Sequence, residues 1–513
     1  MQNQDLNNGR IARNTVFLYF RMILLMLISL YASRVLLRTL GVSDYGLYNV
    51  VGSAVALLGF LNATLSTSTQ RFLNIELGKS NKERLKVVFS TSLLLHFFLV
   101  FIVFIIAETI GLWYIKNYLV VPSGREFAAM CVYQFSVIAI CIQIVQLPFM
   151  ASIIAHERMN VYAYVSLIEG ISKLLIIYVL QLVDFDHLIL YAGLILGVQI
   201  LVAIIYNVYC QKNFEEARFH LAYNKDLFKS MLGFSGWNVI GNVAFVCNTQ
   251  GLNLVMNAFF GTIINAAQGI AFQVNGLLQQ LIANFQLAVK PQVIKCYASG
   301  QVNEMIQLVF NSAKYSAYLM IIASVPLLLE IEPLLTLWLG EFPDYTIIFI
   351  QLVLLRSIVT SMTGSIIMAV HATGYLRNIG IFSGGILLTV LPISYFMLRA
   401  GLPPYIPFVL NILAAILDAF FELYWMHHYI QFPISRFYKN VYMPVFLLFC
   451  FVYFCSYILH YSMSGANEYL RMVLVMIFSV ILSCVVIYRY GLTFSVRKKI
   501  KNYISVRLGL CRR

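Results

Sequence analysis

The chain has 513 residues, of which 61% are hydrophobic and only 11% charged, with a formal net charge of +14. Soluble domains carry about 25% charged residues, so a water-facing surface cannot be built from this composition. The positive sign does not by itself indicate nucleic acid, because basic residues gather beside membrane spans on the cytoplasmic side. Only the tail from Arg497 to Arg513 is densely basic outside the apolar blocks, and no nucleic-acid partner is expected.

The apolar residues fall in blocks of roughly 20, the length that crosses a hydrocarbon core of about 30 Å. Fourteen such blocks are read along the chain: 15–37, 46–70, 86–112, 127–152, 161–182, 187–210, 229–257, 263–289, 304–329, 345–370, 376–398, 405–428, 440–461 and 469–490. Arg10 and Arg13 precede a first block too long for a secretory signal core, and no small-residue cleavage site follows, so that span is expected to be retained. The expected fold is an all-α polytopic membrane protein with about 14 transmembrane helices. It divides into a cytoplasmic tail (1–14), a first lobe (15–210), an inter-lobe linker (211–228), a second lobe (229–428), a C-terminal helix pair (429–490) and a basic tail (491–513). The nine cysteines mostly sit inside apolar runs without ligand spacing and read as packing residues. No metal or cofactor is expected.

With the N-terminus inside, 25 of the 35 lysines and arginines fall in cytoplasmic segments and six in outer ones, while Asp184, Asp186, Glu330, Glu332, Glu341 and Asp344 collect outside. A missed or extra helix would swap every later loop, so this asymmetry supports fourteen spans with both termini in the cytoplasm. An internal repeat is also visible. LGVSDYGLYNVVGSAVALLGF, after the first span, matches FFGTIINAAQGIAFQVNGLL, after the seventh, at an offset near 220. Further on, SIIAHERMNVYAYVSLIEG matches SIIMAVHATGYLRNIGIFSGG. Parallel six-helix repeats place a substrate site between halves near mid-membrane in transporters.

Span seven carries Asn238, Asn242, Thr249, Asn253 and Asn257 on a stripe about 100° wide at 100° per residue. Span eight carries Gln268, Asn275, Gln279 and Gln286 within about 40° of one another. Span two has a parallel stripe of Asn49, Ser53, Thr64, Thr67 and Arg71. An unpaired amide facing lipid costs roughly 2–7 kcal/mol, so these stripes must face protein or water. Two readings stand: hydrogen bonds that hold the bundle together, or the wall of a hydrated path whose amides both donate to and accept from sugar hydroxyls. Glycines 233, 236, 241, 269 and 276 on these spans permit close helix packing or bending.

Four cations lie at membrane depth: Arg21, Lys173, Lys314 and Arg356. Such charges are functional candidates by default. Lys173 follows Glu169 by one turn, the favoured order for a structural pair. Arg21, Lys314 and Arg356 have no acid one turn away. They are candidates either to meet Asp418 or Glu422 across the bundle or to hold an anionic substrate, an arginine fork being suited to phosphate. Asp418 and Glu422 share a face and are candidates for carrying a coupling proton or cation, or for charge compensation alone. His96, in an apolar span, reads as a neutral core histidine.

The run LGVSDYGLYNVVGSAVALLGFLNATLSTSTQRFLNIELGKSN resembles the Wzx-type polysaccharide-biosynthesis flippases. These belong to the multidrug/oligosaccharidyl-lipid/polysaccharide exporter superfamily. The resemblance extends over the chain through its fourteen spans, two six-helix lobes and C-terminal pair. It implies a bacterial cytoplasmic-membrane protein whose lobes enclose a cavity for a polyprenyl-pyrophosphate-linked repeat unit of O-antigen or capsule. Membrane lipid and the polysaccharide assembly machinery are the implied partners. Arg21 is similar in placement to cavity arginines of such flippases, whereas no motif aligns Lys314 or Arg356. A cation-coupled multidrug exporter of the same superfamily is the nearest alternative, although such exporters often carry an acid in the first span, where this chain has Arg21. A polysaccharide polymerase is disfavoured because there is no long outer segment and no nucleophile–base constellation, and no enzymatic activity is expected.

Overall fold

The computed structural model describes residues 2–59, 68–70, 72–73, 76–77, 81–156, 158–218, 224–373, 376–492 and 497. Within these, the side chains of 2–23, 159, 233–242, 287–288, 291–292, 294–295, 298, 371 and 376–377 are outside the description. Arg21, Asn238 and Asn242 are therefore placed by backbone only, and Thr64, Thr67, Arg71 and the tail beyond Arg497 lie outside the described residues.

Among the described residues every regular element is helical. In chain order they are α1 Gln2–Ala56, α2 Lys82–Ile106, α3 Leu112–Asn117, α4 Glu126–Ala155, α5 Met159–Leu182, α6 His187–Asn213, α7 Lys225–Phe260, α8 Thr262–Ala298, α9 Val302–Leu339, α10 Thr346–Thr373, α11 Leu376–Arg399, α12 Ile406–Ile430, α13 Ile434–Phe437, α14 Met443–Ser462 and α15 Glu468–Val486. Side-chain caps start several of them. Asn81 accepts from Arg84 N at 3.1 Å, Asp186 from Leu188 N and Ile189 N at 3.1 Å, and Asn224 from Leu227 N at 2.9 Å. Each oxygen satisfies a donor that the first helical turn leaves unpaired.

Eleven helical stretches are long and apolar enough to cross a bilayer, against the fourteen spans expected. The difference has local causes. The first two expected spans run together as Leu24–Gly59, across a break at Gly41, while α7 and α8, the carriers of the amide stripes, are not among the eleven. Large apolar side chains stand on the outside, including Leu182 at 83%, Phe101 at 63% and Phe446 at 62% exposure. A soluble monomer rarely shows such continuous apolar surface, whereas lipid tails solvate it.

The chain packs as two compact units, one of Met1–Gly269, Pro343–Tyr345 and Gly384–Pro407, the other of Ile270–Phe342, Thr346–Ser383 and Phe408–Arg513. In the first unit α4 lies along α6 and α2, and α1 packs on α4, α5 and α7. Its core joins Phe89, Phe149, Ile153, Val202, Tyr206 and Phe214. In the second unit α9 packs along α10, α14 and α15. Ser312 and Ser316 on α9 meet a buried row of Ser357, Ser361 and Ser365 on α10, with Ser365 Oγ 3.0 Å from Ser312 Oγ. Small side chains let two backbones approach where lipid supplies no hydrophobic drive between helices.

Glu330, expected in an outer loop, lies instead inside α9, fully buried at a break in the helix (φ −120°, ψ 30°) between Pro326 and Pro333. The prolines remove backbone donors and make the break. The carboxylate is kept there by His460 and Arg471.

Candidate pathway residues and the C-terminal groove

In the first unit the expected amide stripe is tied to protein. Asn253 Nδ2 donates to Ser53 Oγ at 2.6 Å and to the Asn49 carbonyl at 3.2 Å. Asn265 Nδ2 donates to the Asn253 carbonyl at 2.7 Å, and Asn257 Nδ2 to Asn265 Oδ1 at 3.0 Å. Asn257 also holds Val120 both ways, accepting from its N–H at 2.9 Å and donating to its carbonyl at 3.2 Å. Asn253, Asn257, Asn265 and Gln268 are all buried, and the Gln268 Oε1 finds no described partner. As arranged, Asn253 and Asn257 offer no free face to cargo.

In the second unit Asn275 Oδ1 accepts from Ser357 Oγ at 2.6 Å. Gln286 Nε2 donates to Ser316 Oγ and to the Ser361 carbonyl, each at 3.3 Å, with its amide laid over Gly364. Gln279 is half-buried and bonds to no described residue. Of the stripe on α8, Asn275 and Gln286 thus join the serine seam.

The intramembrane cations separate by surroundings. Lys173 pairs with Glu169 at 2.6 Å. Arg356 interacts electrostatically with Asp418. Lys314 is half-buried and has no acid partner among the described residues. Around Asp418 and Glu422, Arg356 Nε, Glu422 Oε2 and Tyr442 OH are buried and find no hydrogen bond with a described group, while Ser383 bonds Asp418. Glu422 is 2% exposed and feels the charge of Asp418, one turn before it on α12. His96 Nδ1 bonds the Ser92 carbonyl at 2.7 Å from a fully buried position.

Against this charged patch lies an apolar groove of about 920 Å³. Its walls are Leu355, Ile358 and Met362 from α10, Ile412, Ile416 and Phe420 from α12, and Tyr442, Met443 and Phe446 at the start of α14. Phe420 (63% exposed) and Phe446 (62%) leave one side open. Its size is near the top of the ~300–1,000 Å³ range of small-molecule sites, and its lining offers almost no polar group.

Several anchoring groups had weak signals in the sequence. Arg125 forms ion pairs with both Asp44 and Asp186, joining the Gly41 break, the start of α4 and the cap of α6. Burial works to raise the Asp186 carboxyl, but Arg125 and the N–H groups of Ile189 and Leu188 outweigh it and hold it below the usual carboxylate range. Glu216, in the connector after α6, accepts from His156 at 2.6 Å and Ser152 at 3.3 Å. Burial would raise it too, yet these bonds leave it lowered. An Asp directly before an apolar helix signals a cap, but nothing local announces that Arg125 will reach it.

Long apolar helices in two helical units, with amides and charges inside them, give the chain the fold seen in solved structures of the multidrug/oligosaccharidyl-lipid/polysaccharide (MOP) superfamily. The lipid II flippase MurJ in an inward closed conformation superposes with a TM-score of 0.70 at 14% identity, over 92% of this chain and 99% of that one. An inward-facing multidrug resistance MATE family transporter gives 0.65 at 14% identity, over 81% and 96%. A MOP superfamily transporter from Pyrococcus furiosus gives 0.54 at 16% identity, over 82% and 96%. No protein-family profile matches the chain, and no curated protein is significantly similar in sequence.

Proposed function

We propose that the chain is a lipid-linked oligosaccharide flippase of the Wzx type, carrying a polyprenyl-pyrophosphate-linked polysaccharide repeat unit from the inner to the outer leaflet of a bacterial cytoplasmic membrane by alternating access. The observation that carries this reading is the open-sided apolar groove between α10, α12 and α14. A soluble drug needs no such slot, whereas a cargo with a long hydrocarbon tail must keep that tail in an apolar medium while its headgroup crosses. Lys314, without an acid partner among the described residues, is the described cation best suited to the pyrophosphate, and Arg21 joins it by sequence placement. Part-exposed Gln279 is a contact for the sugars.

The buried acids Asp418 and Glu422 support a second reading, cation-coupled export of small molecules, because intramembrane carboxylates commonly carry protons.

The two readings separate in proteoliposomes loaded with a fluorescent polyprenyl-pyrophosphate oligosaccharide, scoring its accessibility to a membrane-impermeant quencher. The expected result is protein-dependent flipping that falls at least tenfold in Lys314→Ala and is largely kept in Lys314→Arg. Export of a cationic dye with no flipping of the lipid would overturn the proposal in favour of the second reading.

A further inference from the structure

A second cavity lies wholly within the first unit. There α2, α4 and α6 leave a crevice of about 270 Å³, walled by Phe97 and Val100 from α2, Cys141 and Gln146 from α4, and Ala203 and Asn207 from α6. Phe97 is half exposed, and Phe101, Ile138 and Ile204 on the same three helices are exposed as well. In a membrane, such apolar side chains meet lipid tails.

Two amides stand in this apolar wall. Gln199 Nε2 donates to Gln146 Oε1 at 3.2 Å, which leaves the Gln146 N–H groups without an acceptor among the described residues. Asn207 makes no side-chain hydrogen bond with a described group. An amide unpaired against hydrocarbon is costly, so an occupant that brings an acceptor is favoured over one that does not.

Depth narrows the choice. At 1.5 Å per residue, Asn207 lies about 9 Å from the end of α6 at Asn213, and Gln146 and Cys141 lie about 14 and 21 Å from the end of α4 at Ala155. Both helices are roughly 40–45 Å long, the thickness of a bilayer with its headgroup layers. The crevice therefore begins just beneath a headgroup layer roughly 5–8 Å deep and runs toward mid-bilayer. That is the course of one acyl chain of a single leaflet, with Asn207 near the level where the chain joins glycerol.

We infer that the crevice is a binding site for one glycerophospholipid of the cytoplasmic leaflet, its acyl chain in the slot and an ester carbonyl accepting from the Asn207 amide. The leaflet is taken from the lysine and arginine asymmetry, and the inference does not depend on which cargo is moved. Gln146 supplies a second donor about 5 Å deeper. A polyprenyl tail carries no acceptor along its length and would leave both amides unpaired, whereas an ester-linked chain brings one to Asn207. A lipid held only by the folded protein also adds to its stability.

The test uses the full-length protein in liposomes that contain a phosphatidylethanolamine with ester-linked chains and a photoreactive group at mid-chain. Its ether-linked analogue, which has no carbonyl, serves as the comparison. The expected result is cross-linking to residues 141–146 at least fivefold stronger with the ester lipid. Asn207→Leu should remove that preference, and Ala203→Trp, which fills the slot, should cut labelling by both lipids at least fivefold. Equal labelling by the two lipids in the parent, or an ester preference that persists in Asn207→Leu, would overturn the inference. So would labelling unchanged by Ala203→Trp in protein of normal melting temperature; if that variant fails to fold, the Asn207→Leu comparison decides. A photoreactive polyprenyl phosphate that labels residues 141–146 more strongly than the ester lipid would also overturn it, in favour of a cargo tail.

Discussion

Glu330 and His460, 130 residues apart in the chain, meet at 2.6 Å, and Arg471 Nε approaches the other carboxylate oxygen at 3.5 Å. One fully buried carboxylate at the break in α9 thus pins the last turn of α14 and the first turn of α15. Removing one member of a buried ionic cluster leaves the others uncompensated, at a cost of about 3–5 kcal/mol. Glu330→Gln is therefore expected to lower the melting temperature of the purified protein by several degrees. His460→Gln, which keeps a donor, should do less. Equal melting temperatures for all three proteins would refute the pinning role.

The groove makes a steric prediction. Ile416 lies on its α12 wall with its side chain part-exposed, so a larger residue there does not overpack a closed core. On the flippase reading, Ile416→Trp should cut flipping of a lipid-linked oligosaccharide at least tenfold while protein level and melting temperature hold. Full flipping activity in this variant would detach the groove from the transport path.

The acid pair makes a prediction of charge. Arg356 supplies a positive charge to Asp418, Asp418 acts in turn on Glu422, and Glu422 keeps an oxygen with no described partner. An ionised, unpaired carboxylate in a buried place is far costlier than a neutral acid or amide. Glu422→Gln should therefore preserve or raise thermal stability, and on the coupling reading it should abolish acceleration by an imposed proton gradient. Arg356→Ala, which leaves Asp418 without its cation, should destabilise. A melting-temperature series on the two variants, alongside flux with and without a gradient, checks both signs.

Acid should loosen the loops joined by Arg125. The Asp186 carboxyl is held lower in the folded protein than in an unfolded chain. Its contribution is then complete above the unfolded value of about 3.9 and is lost as pH falls through the lowered folded value. Asp186→Asn should melt lower than the parent at neutral pH, and the gap should shrink as pH falls through that window. A gap independent of pH would show that the cap, not the charge, carries the effect. Glu216 follows the same sign at its own cluster.

Much of the fold was legible because bilayer physics writes it in long apolar runs, and the all-helical membrane fold agrees with the fold class expected, though with eleven qualifying helices against fourteen spans. The structure also pairs Lys173 with Glu169, as their one-turn spacing suggested. The site was harder to read. A stripe calculation finds that Asn253 and Asn257 share a face with Thr249, but it cannot say whether that face meets water or another amide. Asn265, which bonds both Asn253 and Asn257, sits on a different helix, and its role arises only when Gly261 folds α8 back beside α7. Glu330 misled for a related reason. An acid near a span end suggests solvent, and its partners are more than a hundred residues away.

Because Phe420 and Phe446 leave the groove without a fourth wall, whatever lies in it is enclosed on that side only by the surrounding fatty chains. A trough open along its side does not have to enclose the whole of its occupant. On the flippase reading, the protein should accept anchors of differing isoprenoid number with nearly equal ease and reserve its discrimination for the hydrophilic end of the molecule.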